Sequence, residues 1–401
     1  MIEVSEIPVK SAAVAGTELT ASVVIPCLNE ADTIERCIRK AYRAMADHGI
    51  NGEVVVADNG STDGSQRIAE AAGASVVSVS ARGYGSALMG GIRAANGMFI
   101  VMGDADDSYD FSEIPRFIEP LREGYDLVQG CRLPGGGGKI VPGAMPLLHR
   151  WWGNPMLSWL ARWWFKVPVH DIYCGLRAFR KTMFEQLGLR CTGMEFATEM
   201  VIKASLHGAR VAEVPTTLYP DGRVNHAPHL RTFQDGWRTL RLFLIYSPRW
   251  LFLMPGLFMI LAGLAAYCIA MPGLTIGGLT FDVHTLLFAS LSILCGYQAL
   301  AFGVLTKGYA VGAGLLPADR YTRRLLDQGN LEYGIGAGAL AIILGLVLLG
   351  AAVNQWRLAQ FGPLDYSHTM RWIIPGATLT ALGVQTVLSS FFLAILGFTN
   401  R

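Results

Sequence analysis

Four long apolar stretches in the C-terminal part of this chain restrict its possible folds more than any other feature. The stretches are residues 250–271, 283–306, 334–353 and 372–398, and each holds 20 or more residues. A helix needs about 20 apolar residues to cross the hydrocarbon core of a bilayer. We therefore predict a four-helix transmembrane module over residues 250–401.

The composition agrees with this division. Of the 401 residues, 52% are hydrophobic and 16% are charged, and residues 250–401 contain only seven Lys and Arg and five acidic residues. The formal net charge of +2 gives no support to a nucleic-acid partner. The seven cysteines form no C-x-x-C pair, which fits a reducing compartment better than a disulfide framework or a zinc site.

The charges of the short loops predict the orientation. Residues 272–282 contain neither Lys nor Arg, residues 354–371 contain Arg357 and Arg371, and residues 307–330 are the most basic. The basic residues of that last loop are Lys307, Arg320, Arg323 and Arg324. The positive-inside rule then places this loop and residues 1–249 on the cytosolic side. The N-terminus lacks the basic and apolar pattern of a signal peptide, so we expect a multi-pass protein with a cytosolic front domain.

The four stretches contain almost no charge. Their notable interior polar residues are Gln298 and Gln385. A transporter or proton pump normally places ionisable residues at the middle of the membrane. We therefore predict anchoring and lipid handling rather than ion transport.

The front domain alternates short apolar runs with amphipathic segments. The runs are Val23–Ile25, Val54–Asp58, Ser75–Val79, Met98–Met102 and Asp126–Gln129, and the helical segments include Glu30–Met45, Ser65–Ala72 and Ser112–Arg122. This alternation predicts an α/β fold with a mainly parallel, Rossmann-like sheet. In such sheets ligands bind beyond the carboxyl ends of the strands.

Three of these strands end in polar segments, which are residues 26–30, residues 58–64 and the pair Asp104 and Asp106. Alone, residues 58–64 would be an ordinary Asn-Gly and Asp-Gly turn. Together the three segments predict one cleft. Carboxylate oxygens suit Mg²⁺ or Mn²⁺, which is often held by one or two carboxylates and substrate phosphates.

The ordered motifs resemble a family 2 glycosyltransferase of the GT-A fold. They are Pro26-x-x-Asn29-Glu30, Asp58-Asn59-Gly60-Ser61-x-Asp63-Gly64 and Asp104-Ala105-Asp106. Further motifs resemble the polyprenyl- or dolichyl-phosphate hexose (mannose or glucose) synthases: Gly130-Cys131-Arg132, Asp171-x-x-Cys174-Gly175-Leu176-Arg177, Glu195-Phe196-Ala197-Thr198-Glu199 and Glu213-Val214-Pro215. The resemblance covers residues 20 to about 250.

This resemblance implies the donor side of a site. It implies nucleotide contacts from Pro26, Asn29, Glu30, Asp58 and Asp104, and a Mg²⁺ or Mn²⁺ ion bound by Asp104 and Asp106. Three neighbours complicate the assignment. Asn59 replaces a common Asp in the base contact, Ser108 stands where some relatives have a metal-binding Gln, and Asp107 is a third adjacent carboxylate.

The reaction implied is inverting transfer of a hexose from a UDP- or GDP-sugar to a polyprenyl phosphate, undecaprenyl or dolichyl, for cell-envelope glycosylation. Arginine suits phosphate recognition because its planar fork binds two oxygens. Arg132 and Arg150 are the candidates for the acceptor phosphate and, with Asp106, form the predicted catalytic set. Arg177 and Arg223 are second choices for either substrate's phosphates.

Other residues of the front domain have two interpretations. Glu195 and Glu199 lie one helical turn apart and either hold sugar hydroxyls or cap and solvate a helix. Residues 135–138 followed by Lys139 lack the P-loop spacing, so we interpret them as a flexible loop near the acceptor.

Two segments of the front part are predicted to lie at the membrane surface. Residues 145–166 hold five of the nine tryptophans with flanking basic residues, and residues 229–249 form a basic, aromatic juxtamembrane helix. A buried core helix is the alternative for the first. The predicted domains are therefore residues 1–228, 229–249 and 250–401. We expect an integral protein of the bacterial inner membrane, and the sequence leaves open whether it forms a homo-oligomer.

Two rival functions stay open. One is a membrane glycosyltransferase with another lipid or polysaccharide acceptor. The other is a scaffold or transporter that binds sugar nucleotide without turnover. The sequence identifies neither the sugar nor the nucleotide.

Overall fold

A computed structural model describes residues 19–223, 232–318 and 330–399. The chain divides into two compact units, Met1–Asp235 and Gly236–Arg401. Each unit is described by itself below.

The first unit is built on a seven-stranded sheet. Its strands are β1 (Ala21–Cys27), β2 (Gly52–Asp58), β3 (Ser75–Ser78), β4 (Phe99–Met102), β5 (Leu127–Cys131), β7 (Arg177–Arg180) and β8 (Val211–Pro215), and a separate short ladder pairs β6 (Lys139–Ile140) with β9 (Thr217–Leu218). The order across the sheet is β3-β2-β1-β4-β7-β5-β8. Only β7 is antiparallel to its neighbours β4 and β5. The predicted α/β class with a mainly parallel sheet is confirmed.

Helices connect these strands and cover the sheet. They are α1 (Ile34–Asp47), α2 (Ser65–Ala71), α3 (Tyr84–Ala94), α4 (Ile114–Arg122), α5 (Asn154–Phe165), α6 (Lys181–Leu187) and α7 (Phe196–Leu206). In α1 the buried residues Ile34, Cys37, Ile38 and Ala41 recur every three or four positions, which places them on one face against the sheet. Helix α1 starts at Ile34 rather than at the predicted Glu30, because residues 30–33 form the turn that leaves β1.

The central strands are completely buried, and their carboxyl ends share one edge. β1 and β4 have all their residues buried. β1 is parallel to both β2 and β4. The polar segments that follow these three strands therefore emerge side by side, as the sequence predicted.

Most of the aromatic segment predicted over residues 145–166 is helical, from residue 147 to residue 165. A π-helical turn at His149–Gly153 leads into α5, which is followed by Lys166 with φ +56°. Its outer side chains are more than half exposed: Trp151, Trp152, Trp159 and Trp163. Four exposed tryptophans do not fit the alternative of a wholly buried core helix.

The second unit is helical. After α8 (Thr232–Tyr246), whose sequence contains the unit boundary, come α9 (Met254–Ala270), α10 (Val283–Gly312), α11 (Asn330–Leu358) and α12 (Tyr366–Thr399), with a hairpin of β10 (Thr275–Ile276) and β11 (Leu279–Thr280). Four helical spans are long and apolar enough to cross a membrane: Arg249–Ala270, Val283–Gly312, Leu331–Leu358 and Tyr366–Gly397.

The predicted number of spans is confirmed, but three of the predicted bounds are too short. Helix α10 continues six residues beyond the predicted end at 306, and α11 and α12 also extend past their apolar cores. Helical hydrogen bonding does not stop where the apolar sequence stops, so the helices enclose Lys307, Arg357 and Arg371. The basic residues Arg320, Arg323 and Arg324 of the predicted cytosolic loop lie outside the described residues.

Glycines let the helices of the second unit approach closely. A Cβ on Gly338 would lie 2.8 Å from the carbonyl oxygen of Gly383, and a Cβ on Gly383 would lie 2.6 Å from that of Gly338. Small residues at such crossings permit the van der Waals packing that holds helices together in lipid. Arg371 Nη2 also donates to Asp282 Oδ1 at 2.9 Å, which ties α12 to the start of α10.

Candidate active site

The loops after β1 and β2 are tied together by hydrogen bonds. The Asn29 backbone N–H donates to Ser61 Oγ at 2.9 Å, and the Thr62 N–H donates back to Asn29 Oδ1 at 2.8 Å. The Glu30 N–H donates to Ser65 Oγ at 2.8 Å. Asn29 has φ +60°, a conformation that Asn tolerates better than most residues. These bonds give the first two polar segments one fixed geometry.

Asp58 and Asn59 are buried at the carboxyl end of β2. Asp58 is 1% exposed and accepts hydrogen bonds from the Gly60 N–H and the Gln66 side chain. Burial raises the pKa of Asp58, but the hydrogen bonds to its carboxylate outweigh burial and bring the pKa below its usual value. Pro26 lies inside β1, in register with Ala57. The nucleotide contacts of Pro26, Asn29 and Asp58 stay predictions.

The predicted base contact by Asn59 needs correction. Both N–H bonds of its amide are used, one to the Val79 carbonyl at 2.9 Å and one to the Ala81 carbonyl at 2.8 Å. Its Oδ1 accepts the Gly83 N–H at 2.8 Å. Asn59 therefore ties the β2 exit to the segment before α3, and its amide has no donor left for a nucleobase.

Asp104 and Asp106 form the acidic centre of the cleft. Tyr84 Oη donates to Asp104 Oδ1 at 2.8 Å, and Ser108 Oγ donates to Asp106 Oδ1 at 2.6 Å. A Cβ on Gly175 would collide with Asp104 Oδ2. Burial, and after it the charge of Asp106, raises the pKa of Asp104 to about 6.

The two carboxylates fit a divalent cation. Their repulsion is relieved by a positive ion, and their hard oxygens match Mg²⁺ or Mn²⁺. In the part of the chain that the structure describes, no group of three His, Cys, Asp or Glu is placed to hold a metal. The Ser108 hydroxyl hydrogen is donated to Asp106.

Asp107 is directed away from this pair. Its carboxylate contacts Arg36 Nη1 at 3.0 Å and Lys40 Nζ at 2.8 Å, both on α1. Asp107 has φ +58°, so the turn itself rotates it out of the cleft. Asp107 is thus paired elsewhere, and Asp104 and Asp106 stay the predicted metal ligands.

Arg223 bridges Glu30 and Asp106. Its Nη2 lies 2.6 Å from Glu30 Oε1, and its Nη1 lies 3.4 Å from Asp106 Oδ2 and 2.7 Å from Asp221 Oδ2. Burial lowers the pKa of Arg223, but the carboxylates around it raise the pKa above its usual value. The structure thus brings Arg223 and Glu30 to the acidic pair, with their charges paired to one another.

Arg132 lies on the other side of the cleft, after β5. Its Nε and Nη2 donate to the Asp171 carboxylate at 2.7 and 3.0 Å, and its side chain is 8% exposed. Burial lowers the pKa of Arg132, but Asp171 raises it well above its usual value. The charge of Arg132 lowers the pKa of both Asp104 and His149, which places it among these groups.

Two other predicted arginines differ from Arg132. Arg150 lies over the Trp151 ring, 5.5 Å from its centroid, and its contact with phosphate stays a prediction. The prediction that Arg177 binds a substrate phosphate is wrong. It is fully buried, and its guanidinium donates to the carbonyls of Ala197 and Cys174 at 2.6 and 2.7 Å. Because it is enclosed in this way, Arg177 stabilises the fold and does not bind substrate phosphate.

The pair Glu195 and Glu199 divides into two roles. Glu199 is fully buried, accepts the N–H groups of Arg190 and Cys191, and lies 3.5 Å from Lys203. It is therefore structural. Glu195 precedes α7, and among the described residues none donates a hydrogen bond to its buried Oε2. An unpaired buried carboxylate oxygen is costly, so Glu195 remains the candidate for a substrate hydroxyl.

The structure adds Tyr84 and Asp171 to the residues around the cleft. For Tyr84, which donates to Asp104, the signal in the sequence is its position between Gly83 and Gly85, which marks a close backbone approach. Asp171 belongs to one of the motifs, but a sequence does not show that its partner is Arg132. Lys139 is exposed at the start of β6, and its backbone N–H donates to the Thr216 carbonyl at 3.1 Å; its contact with phosphate stays a prediction.

Comparison with protein families matches both parts of the chain. Residues 22–188 match the model "Glycosyl transferase family 2", and residues 304–397 match "Glycosyltransferase family 2 C-terminal transmembrane region". These two matches follow the same order as the α/β unit and the apolar helices.

Among curated proteins, the chain is 35% identical over 383 residues to the low-salt glycan biosynthesis hexosyltransferase Agl6 of Haloferax volcanii. That alignment covers 94% of this chain and 89% of the relative. A dolichyl-phosphate hexose transferase of the same organism is 34% identical over 164 residues, which are 41% of this chain and 68% of that protein.

Among solved structures, the chain is similar to a glucosyl-3-phosphoglycerate synthase from Mycobacterium tuberculosis in complex with Mn²⁺, UDP and glucosyl-3-phosphoglycerate. The sequence identity is 24% and the TM-score is 0.43, and the similarity covers 56% of this chain and 77% of the other.

Proposed function

The chain belongs to glycosyltransferase family 2 and is a membrane protein of the GT-A fold, and from this premise we propose that it transfers a hexose from a nucleotide-diphosphate sugar to a polyprenyl phosphate. One observation carries the proposal. An acidic pair suited to a divalent cation follows β4, and a buried arginine suited to a phosphate follows β5; because both strands are antiparallel to β7, their carboxyl ends lie at the same edge of the sheet.

The acidic pair would bind the donor's diphosphate. Asp104 and Asp106 would hold Mg²⁺ or Mn²⁺, which when bound supplies Lewis-acid stabilisation of the departing diphosphate. Arg223 would exchange its ion pairs with Glu30 and Asp106 for contacts with phosphate oxygens. Glu195, whose buried Oε2 has no partner among the described residues, would accept a hydrogen bond from a sugar hydroxyl.

Arg132 would bind the acceptor phosphate. A phosphate monoester has a second pKa near 6, so at neutral pH most of it is already a dianion. No general base has to remove a proton from it. The protein then has to align one phosphate oxygen behind the anomeric carbon. Direct displacement inverts that carbon and gives a β-linked product from an α-linked donor.

The relatives support this choice of acceptor, since one of them is named a dolichyl-phosphate hexose transferase. The exposed tryptophans of residues 149–165 suit the headgroup level of a bilayer, where a long isoprenoid presents its phosphate. We propose a cytosolic cleft on the basis of the loop charges. The bacterial inner membrane, UDP or GDP, glucose or mannose, and a homo-oligomer stay predictions.

A direct test is to incubate the purified full chain with undecaprenyl or dolichyl phosphate, Mn²⁺ and one radiolabelled sugar nucleotide at a time. We expect labelled lipid from at least one UDP- or GDP-hexose. Asp106→Ala is the negative control. Labelled lipid that forms equally in Asp106→Ala, or labelled polysaccharide instead of lipid, would reject the proposal.

A further inference from the structure

The loop at residues 170–174 is held by a row of side chains from three neighbouring strands. Arg177 of β7, Gln129 of β5 and Glu213 of β8 lie side by side in register. Residues directly opposite each other on neighbouring strands project from the same face of a sheet. The three side chains therefore form one line across the sheet.

Each member of this row binds the backbone of the loop. Gln129 Nε2 donates to the Asp171 carbonyl at 3.0 Å, and Arg177 Nη2 donates to the Cys174 carbonyl at 2.7 Å. Glu213 Oε1 accepts the N–H groups of His170 and Asp171 at 2.6 and 3.2 Å. Gln129 and Arg177 are fully buried. The loop is thus fixed from β5, β7 and β8 at once.

The fixed loop presents Asp171 to Arg132. Asp171 has no exposed surface, and its Oδ2 accepts both the backbone N–H of Arg132 at 3.1 Å and Nε at 2.7 Å. Its Oδ1 accepts Nη2 at 3.0 Å. Asp171 therefore holds the backbone and the side chain of Arg132 together.

The contact is made along one edge of the guanidinium. A guanidinium carries five N–H bonds in a planar fork, and Asp171 takes those on the edge of Nε and Nη2. The second N–H of Nη2 and the neighbouring N–H of Nη1 form the outer fork, which is not used by Asp171. It is this fork that matches two oxygens of a second oxyanion.

We propose that Asp171 is a positioning residue that fixes Arg132 so that its outer fork receives the acceptor phosphate. This inference rests on the proposed function. The pairing reduces the net charge that meets the phosphate, so its benefit lies in orientation: Arg132 does not have to lose side-chain freedom when the acceptor binds. Glu213 would affect Arg132 indirectly, because it accepts the backbone N–H of Asp171.

The test uses the full chain in nanodiscs and measures equilibrium binding of radiolabelled farnesyl phosphate, with farnesol and protein-free nanodiscs as controls. We expect Asp171→Asn to weaken farnesyl phosphate binding about tenfold, the loss of one oriented hydrogen bond to a charged group. Farnesol binding, and Mn²⁺-dependent binding of UDP or GDP, should not change. Combined with Arg132→Ala, Asp171→Asn should weaken binding no further.

Asp126→Asn is the matched control. Asp126 precedes the opposite end of β5, is paired with Arg180 at 3.9 Å and accepts the Arg210 N–H, so farnesyl phosphate binding should be kept. If Asp171→Asn does not fold, as judged by its Tm, Glu213→Gln replaces it, because it leaves the pair of Asp171 and Arg132 intact. A loss of about threefold is then expected from the looser loop.

The outcomes separate the two proposals. If wild type binds farnesyl phosphate no tighter than farnesol, the proposed function fails. If wild type discriminates between them and Asp171→Asn does so equally well, or if the two substitutions are additive, the positioning role of Asp171 is rejected while the proposed function stands.

Discussion

The two sides of the cleft solve the problem of fixing charge in different ways. On the donor side, Arg223 is paired with Glu30 and Asp106, groups that the proposed reaction needs for the donor and its cation. On the acceptor side, Arg132 is paired with Asp171, which lies behind it. In the proposed reaction, binding of the donor would break ion pairs, whereas the acceptor phosphate would meet an arginine that is already oriented. An ion pair alone therefore does not show whether an arginine is ready to bind a phosphate.

The largest effect should come from the acidic pair. Asp106→Ala removes one of the two proposed carboxylate ligands, and we expect about 10³-fold lower transfer, comparable to the loss of a main electrostatic contact in a catalytic site. Calorimetric titration with Mn²⁺ should show weaker binding.

Asp107→Asn is its matched control, since the neighbouring carboxylate pairs with Arg36 and Lys40 and Asn tolerates the positive φ. It should lower Tm and leave Mn²⁺ affinity unchanged. Equal losses of Mn²⁺ affinity in both variants would show that the assignment of the ligands is wrong.

Arg132→Lys tests the proposed phosphate contact on the acceptor side, because it keeps the charge and removes the planar fork. We expect the KM for polyprenyl phosphate to rise about 30-fold, with the KM for the sugar nucleotide unchanged. Steady-state kinetics in which each substrate is varied separately would measure the split. A Lys variant with wild-type kinetics would mean that charge alone suffices on this side.

The donor side should depend on pH through Asp104. Its pKa is raised from 3.8 to about 6 in the metal-free protein. Mn²⁺ binds the ionised form, so its affinity should be constant above pH 6 and fall about tenfold for each pH unit below it.

The free energy of unfolding should change with pH in the opposite direction to the Mn²⁺ affinity. The folded state holds the Asp104 proton more tightly than the unfolded state, so the free energy of unfolding should decrease as pH rises from about 4 to 6. Mn²⁺ should restore it above pH 6. Thermal unfolding of wild type and Asp104→Asn, with and without Mn²⁺, measures this term, and an identical pH profile in both proteins would contradict it.

The smallest effect expected is that of Arg223→Ala. Removing a cation that pairs with Asp106 at 3.4 Å should make the acidic pair more attractive to a metal ion, so Mn²⁺ alone should bind about threefold tighter. Mn²⁺-dependent binding of UDP or GDP should become weaker, because a phosphate contact is lost. Titrations with Mn²⁺ alone and with nucleotide would separate the two effects, and weaker binding of Mn²⁺ alone would contradict the exchange of ion pairs.

The fold was predictable because its signals are local. The alternation of apolar runs and amphipathic segments specifies a parallel sheet, and the exits of β1, β2 and β4 follow from that topology. The four apolar stretches specify the spans. The ends of α10 and α12 were less predictable, since a helix continues through polar residues such as Lys307 and Arg371 as long as its backbone is satisfied.

The candidate site was predictable only in part, because burial depends on neighbours that are distant in the chain. Asp171 and Arg177 belong to one short motif, yet the first pairs with Arg132 and the second lies in the core. Asn59 lies in a segment with the composition of a nucleotide-binding turn, but its side-chain amide is hydrogen-bonded to the backbone of residues 79–83. Whether a polar side chain faces the cleft or the protein interior is decided by tertiary partners.

Gly175 has a consequence for how this enzyme could be changed. A single methyl group at this position would collide with a carboxylate oxygen of Asp104, although the residue has no side chain and its N–H donates to Tyr109 Oη. Substitution even by alanine would displace the carboxylate or the loop. Laboratory evolution of a new sugar preference should therefore leave position 175 as glycine, and accepted changes should accumulate around Glu195, where the sugar is proposed to lie.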